Sequence, residues 1–85
     1  MITAYFDGGS RGNPGLAGWG ADIVNADGTV LAELSGALGT ATNNVAEYHG
    51  LIAALQWAAD NDVTALAVKG DSLLLVEQMR GNYQV

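Results

Sequence analysis

Residues 2–7, Ile2-Thr3-Ala4-Tyr5-Phe6-Asp7, alternate in character, with Ile2, Ala4 and Phe6 on one side and Thr3, Tyr5 and Asp7 on the other. A period of two predicts a strand, and its natural end is Asp7. The eight residues that follow, Gly8-Gly9-Ser10-Arg11-Gly12-Asn13-Pro14-Gly15, hold four glycines and the chain's one proline. Such punctuation predicts a loop. Working outward, Trp19 to Val24 and Thr29 to Leu34 read as two strands. The turn signal Asn25-Ala26-Asp27-Gly28 joins them as an antiparallel hairpin.

Ser35 to Thr42 is small and polar and reads as a loop. A helix is predicted next, capped by Asn43 or Asn44 and running to Asp60. Val45, Tyr48, Ile52, Leu55 and Ala59 recur at helical spacing and form its main apolar stripe. Glu47, Gly50, Leu51 and Ala54 lie on a stripe beside it. Gly50 inside a helix costs about 1 kcal/mol relative to Ala, which a close helix–sheet approach would explain. Ala65 to Gly70 reads as a fourth strand and Ser72 to Arg80 as a short second helix, stopped by Gly81. Joined through the first helix, the first and fourth strands can pair in parallel.

With 85 residues, the chain has room for one small domain, residues 1–85, whose core is marginal by itself. It contains no cysteine, which excludes disulfides and thiolate metal sites and fits a cytoplasmic protein. There is no long apolar run of transmembrane length and no secretory signal pattern at the N-terminus. The net charge of −6 argues against broad, charge-driven binding of nucleic acid. Arg11, Lys69 and Arg80 are the only Lys or Arg residues, so a bound polyanion would need metal ions, backbone N–H groups or basic residues from elsewhere.

Three acids stand out by position. Asp7 and Asp71 end the first and fourth strands, so parallel pairing would bring them out at one edge, where sites form in open α/β sheets. Glu47, read in the first turn of the helix, can look toward the sheet rather than the solvent. Converging carboxylates repel one another unless a cation is present. Their hard oxygens suit Mg²⁺ or Mn²⁺, and two such ions can assist phosphodiester hydrolysis. Each acid also has a plainer reading: Asp7 as a strand terminus before a turn, Glu47 as a complement to the helix dipole, Asp71 as a helix cap. In the glycine loop, Gly8 and Gly9 permit close approach of a ligand, Ser10 and Asn13 offer hydrogen bonds, and Arg11 can meet a phosphate. Of Asn43 and Asn44, one can cap the helix and the other is free for a ribose hydroxyl or a base edge. His49 reads as an ordinary helix residue, because no second histidine is present.

Three segments together, Tyr5 to Gly15, Thr42-Asn43-Asn44-Val45-Ala46-Glu47 and Gly70-Asp71-Ser72, resemble the type 1 ribonuclease H family, in its bacterial and archaeal branch. The resemblance implies a mixed five-stranded sheet and cleavage of the RNA strand of RNA–DNA hybrids with two Mg²⁺ or Mn²⁺ ions. It puts Asp7, Glu47 and Asp71 at the first three catalytic acids, with the metal held by these and Gly8. It puts Gly8, Gly9, Ser10, Arg11, Asn13, Asn43, Asn44 and Ser72 against the hybrid. The family's fourth acid, last strand and later helices have no counterpart in these residues. The expectation is therefore a C-terminally incomplete domain, β-β-β-α-β-α, weak or inactive by itself. Its fourth strand would have an open edge and its helix an exposed apolar face, which favours self-association. The same branch carries a phosphatase-like domain in some members. The competing reading is a catalytically inactive module on this fold that binds nucleic acid or protein.

Overall fold

The structure, a computed structural model, describes residues 1–70 and the backbone of residues 74–78. Strands β1 (Ile2–Gly12), β2 (Gly15–Val24) and β3 (Val30–Ala41) precede helix α1 (Asn43–Asp60), which leads to β4 (Ala65–Lys69) and β5 (Leu74–Gln78). They form one five-stranded sheet in the order β3-β2-β1-β4-β5. β1 and β4 pair in parallel, from Ile2↔Leu66 to Tyr5↔Lys69, and the other neighbours pair antiparallel.

Three sequence expectations fail here. Ser35 to Thr42, read as a loop, instead continues β3 as far as Ala41, paired along β2. The glycine-rich stretch is not a loop: β1 continues past Asp7 to Gly12, pairing Gly9 with Gly18 and Gly12 with Gly15. Ladder hydrogen bonds use backbone groups alone, so glycine can extend a hairpin even while it marks turns elsewhere. The short second helix is also absent, because residues 74–78 run as β5 along β4. A brief apolar run does not distinguish strand from helix by periodicity, and the unpaired edge of β4 offers N–H and C=O groups that a strand satisfies. The edge expected to be open is therefore covered.

Helix α1 lies on the face of the sheet that carries Ala4, Phe6, Ala21, Ile23, Leu66 and Val68, and together they make the core. Its buried stripe is Ala46, Gly50, Ala54, Leu55 and Ala58. The larger Val45, Tyr48 and Ile52, expected inward, are 45%, 65% and 44% exposed. Contact distance rather than hydrophobicity decides this. A Cβ at Gly50 would lie 3.2 Å from the Asp7 and Gly20 carbonyl oxygens, so only small side chains let the helix rest this close.

Thr42, not an asparagine, caps the helix: its Oγ1 accepts from the Val45 N–H at 3.2 Å. Thr42→Ala is expected to cost about 1 kcal/mol in urea unfolding, with Thr42→Ser close to the parent. At the other end, Val63 N–H reaches the Ala58 carbonyl and Asp62 N–H that of Ala59, with Asp62 at φ 56°. This is the left-handed stop that glycine usually supplies.

The β2–β3 turn is closed by Asp27, whose Oδ1 accepts from the Thr29 N–H at 2.9 Å. Hydrogen bonds from the Thr29 backbone and then its hydroxyl hold the Asp27 carboxyl below its ordinary value. A depressed carboxyl pKa stabilises the fold above the unfolded value, and that contribution is lost as pH falls through the folded one. The Thr29 amide resonance should therefore titrate on the acid side of the ordinary Asp range, and Asp27→Asn should abolish the step.

Candidate active site

The site is built where the β1–β4 ladder stops. Pairing ends at Tyr5↔Lys69, and Asp7 stands two residues further along β1. Its side chain is exposed, with Oδ1 accepting from the Gly8 N–H at 2.9 Å. It opens on a groove of about 520 Å³ across the sheet face away from α1, shared with Tyr5, Gly20, Asp22, Glu33 and Ser35.

Glu47 arrives from the opposite face. It is half-buried and is the fifth residue of α1, not part of its first turn, which carries no acid. The helix-dipole reading of Glu47 therefore loses its ground. Two glycines set its position. A Cβ at Gly8 would sit 2.3 Å from the Ala46 carbonyl carbon and 2.4 Å from the Glu47 nitrogen. The strand residue after Asp7 and the helix residue before Glu47 thus touch backbone to backbone. At the end of β4, a Cβ on Gly70 would lie 3.0 Å from Glu47 Oε1 and 2.7 Å from Phe6 Cζ, so Gly70 leaves room for the carboxylate. Asp71, the next residue, and Ser72 lie outside the described residues. Among the described residues no three Asp, Glu or His side chains form a metal-holding group.

The remaining sequence candidates divide. Ser10, Asn13 and Asn43 come together: Asn43 Oδ1 accepts from the Ser10 N–H at 2.8 Å, and Asn13 Oδ1 accepts from the Asn43 N–H at 3.1 Å. Gly9 is exposed beside them, with its nearest neighbour, Asn43 Oδ1, at 3.8 Å from an added Cβ. Arg11 is exposed near the hairpin tip, Asn44 in the first turn of α1 and His49 further along the helix. Sequence reasoning missed Asp22 and Glu33, cross-strand partners that line the same groove as Asp7. Their alternation with buried Ala21 and Ile23, and with half-buried Ala32 and Leu34, was the available signal.

A family model described as reverse transcriptase-like matches residues 5–84. The bifunctional protein Rv2228c of Mycobacterium tuberculosis is 60% identical over 85 residues, 99% of this chain and 23% of that protein. Its N-terminal RNase H domain, solved as a fusion with maltose-binding protein, superimposes with a TM-score of 0.79 at 57% identity, over 84% of this chain and 52% of that one. Ribonuclease HI of the archaeon Halobacterium salinarum is 50% identical over 94% of this chain and 40% of its own length. The compost-derived LC11-RNase H1, solved in complex with an RNA/DNA hybrid, gives a TM-score of 0.77 at 43% identity, over 85% of this chain and 55% of that one. The chain thus spans about half the length of these solved relatives and 23% and 40% of the two full-length proteins. Among the described residues no helix is long and apolar enough to cross a membrane.

Proposed function

The chain belongs to the type 1 ribonuclease H family, and from that premise we propose that the protein hydrolyses the RNA strand of RNA–DNA hybrids in a reaction that depends on divalent metal. The observation that carries this reading is the packing of Gly8 against the Ala46–Glu47 peptide, with Gly70 making room for Glu47 Oε1. It ties the Glu47 carboxylate to the strand that bears Asp7 and to the residue that precedes Asp71. Three carboxylates make an all-oxygen donor set, which fits Mg²⁺ or Mn²⁺. Asp7, Glu47 and Asp71 are the residues that would hold the metal, with the Gly8 carbonyl beside them. When bound, the metal, two ions in the intact site, would supply electrostatic stabilisation of the attacking and leaving oxygens.

The chain's own residues bind and orient the substrate. Asn13, Asn43 and Asn44 offer side-chain amides from the β1–β2 hairpin and the start of α1, Gly8 and Gly9 keep the strand surface low, and Arg11 meets a phosphate from the hairpin. Ser72 completes this set by its place after Asp71. With a chain charge of −6, binding depends on these directed contacts rather than on a basic surface. The test is an RNA–DNA hybrid labelled on each strand and incubated with the whole protein and Mg²⁺ or Mn²⁺. Fragments of the RNA strand alone support the proposal. Binding without cleavage would favour the inactive interaction module.

A further inference from the structure

Among the described residues, the densest polar network outside the carboxylates joins the β1–β2 hairpin to the first turn of α1. Ser10 N–H donates to Asn43 Oδ1 at 2.8 Å, and Ser10 Oγ lies 3.0 Å from the same oxygen. These contacts bridge residues 33 apart in sequence, and Asn43 N–H returns a bond of 3.1 Å to Asn13 Oδ1. Ser10 N–H is free for this because β4 no longer flanks β1 beyond Tyr5.

A primary amide has an acceptor at one end and two donors at the other, so fixing the oxygen also fixes the nitrogen. Asn43 turns its oxygen toward Ser10, and among the described residues its Nδ2 meets no acceptor. Asn13 repeats the arrangement, with its oxygen committed to the Asn43 N–H. Asn44, one residue on, has no side-chain bond among the described residues, and so lacks any such constraint.

We propose that Ser10 is a positioning residue, which locks the Asn43 side chain in one of its two flip states and so presents Nδ2 as a donor beside the hairpin. Ser10 acts through Asn43 rather than by touching the ligand. Its hydroxyl has one proton for two acceptors, Asn43 Oδ1 and the Gly12 carbonyl, which links the turn of the hairpin to the amide. The edge so prepared takes a ligand by its acceptor atoms. Only the identity of that ligand rests on the nuclease reading; the lock is a property of this chain.

The experiment follows the side-chain NH₂ groups of Asn43 and Asn44 by heteronuclear NOE in the ¹⁵N-labelled 85-residue chain without ligand. Asn43 is expected to be rigid and Asn44 mobile. Ser10→Ala keeps the backbone N–H bond and removes only the hydroxyl's, so it should loosen the Asn43 group in part while the backbone spectrum persists, and Ser10→Thr, which keeps the hydroxyl, should restore it. In the whole protein, Ser10→Ala should raise KM for a hybrid about fivefold, more than it lowers kcat, as expected for one lost hydrogen bond. An Asn43 group as mobile as that of Asn44, or one indifferent to Ser10→Ala, overturns the proposal. A rigid Asn43 in a protein that cuts no hybrid overturns the nuclease reading and leaves the lock standing. Hybrid cleavage with a mobile Asn43 does the reverse.

Discussion

Gly8→Ala is expected to destabilise the fold by about 3 kcal/mol, at the upper end of the range for overpacking. The added methyl would meet the Ala46 and Glu47 backbone at 2.3–2.5 Å. Helix backbone cannot rotate away as a side chain can, so α1 must lift from β1 or β1 must bend. Either movement disturbs the contacts of Ala46 and Gly50, both buried in the same seam. In a domain of this size, 3 kcal/mol lowers Tm by roughly 15 °C. Gly9→Ala is the matched control, since its methyl would meet only Asn43 Oδ1, at an ordinary 3.8 Å. It should stay within about 0.5 kcal/mol of the parent. Paired urea melts decide the matter, and equal midpoints for the two variants would refute the seam as drawn.

Asp7→Asn separates chemistry from stability. The side chain is exposed, and its one hydrogen bond among the described residues, from the Gly8 N–H, can be accepted equally by an amide oxygen. The melt should therefore hardly move. What is lost is a negative oxygen ligand. Removing one such electrostatic contribution from a preorganised site lowers the rate by on the order of 10³. Glu47→Gln should behave likewise, because its carboxylate is held by packing against Gly70 rather than by an ion pair among the described residues. The measurement is single-turnover hybrid cleavage beside thermal melting of the same preparations. A variant that keeps more than about a tenth of the rate would remove its residue from the catalytic set.

Much of the scaffold was legible because it depends on alternation and turn chemistry. Ile2 to Asp7 and the Asn25 to Gly28 turn declare themselves by period and by residue type, and the parallel partnership of β1 and β4 follows from the helix between them. Most of the failures share one physical origin, the double meaning of small residues. Glycines from Gly8 to Gly15 read as loop, yet they pair as strand. Val45, Tyr48 and Ile52 read as the inner stripe by hydrophobicity, yet Ala46, Gly50, Ala54 and Ala58 take that place because the helix sits so close to the sheet. Residues 74–78 carried no period strong enough to separate strand from helix.

The candidate site was legible by residue type and much less by arrangement. Asp7 and Glu47 are recognisable as acids in suggestive positions, but the sequence does not announce that Gly8 is the contact between them. Nor does it announce that Asn43 turns its oxygen to Ser10, since that bond spans 33 residues and arises only when β1 outruns β4. Asp71 and Ser72 were read from the sequence and lie outside the described residues.

Gly8 and Gly70 bring the Glu47 carboxylate to the strand that carries Asp7 and to the end of β4, and the proposed metal-dependent nuclease activity rests on that seam. The most direct test of that activity presents the whole protein with an RNA–DNA hybrid and with RNA–RNA and DNA–DNA duplexes of the same sequence, in Mg²⁺ and again in EDTA. The account predicts cleavage of the RNA strand of the hybrid alone, in Mg²⁺ alone, and its loss in Asp7→Asn. An intact hybrid in Mg²⁺, or cleavage that survives EDTA or Asp7→Asn, would contradict it.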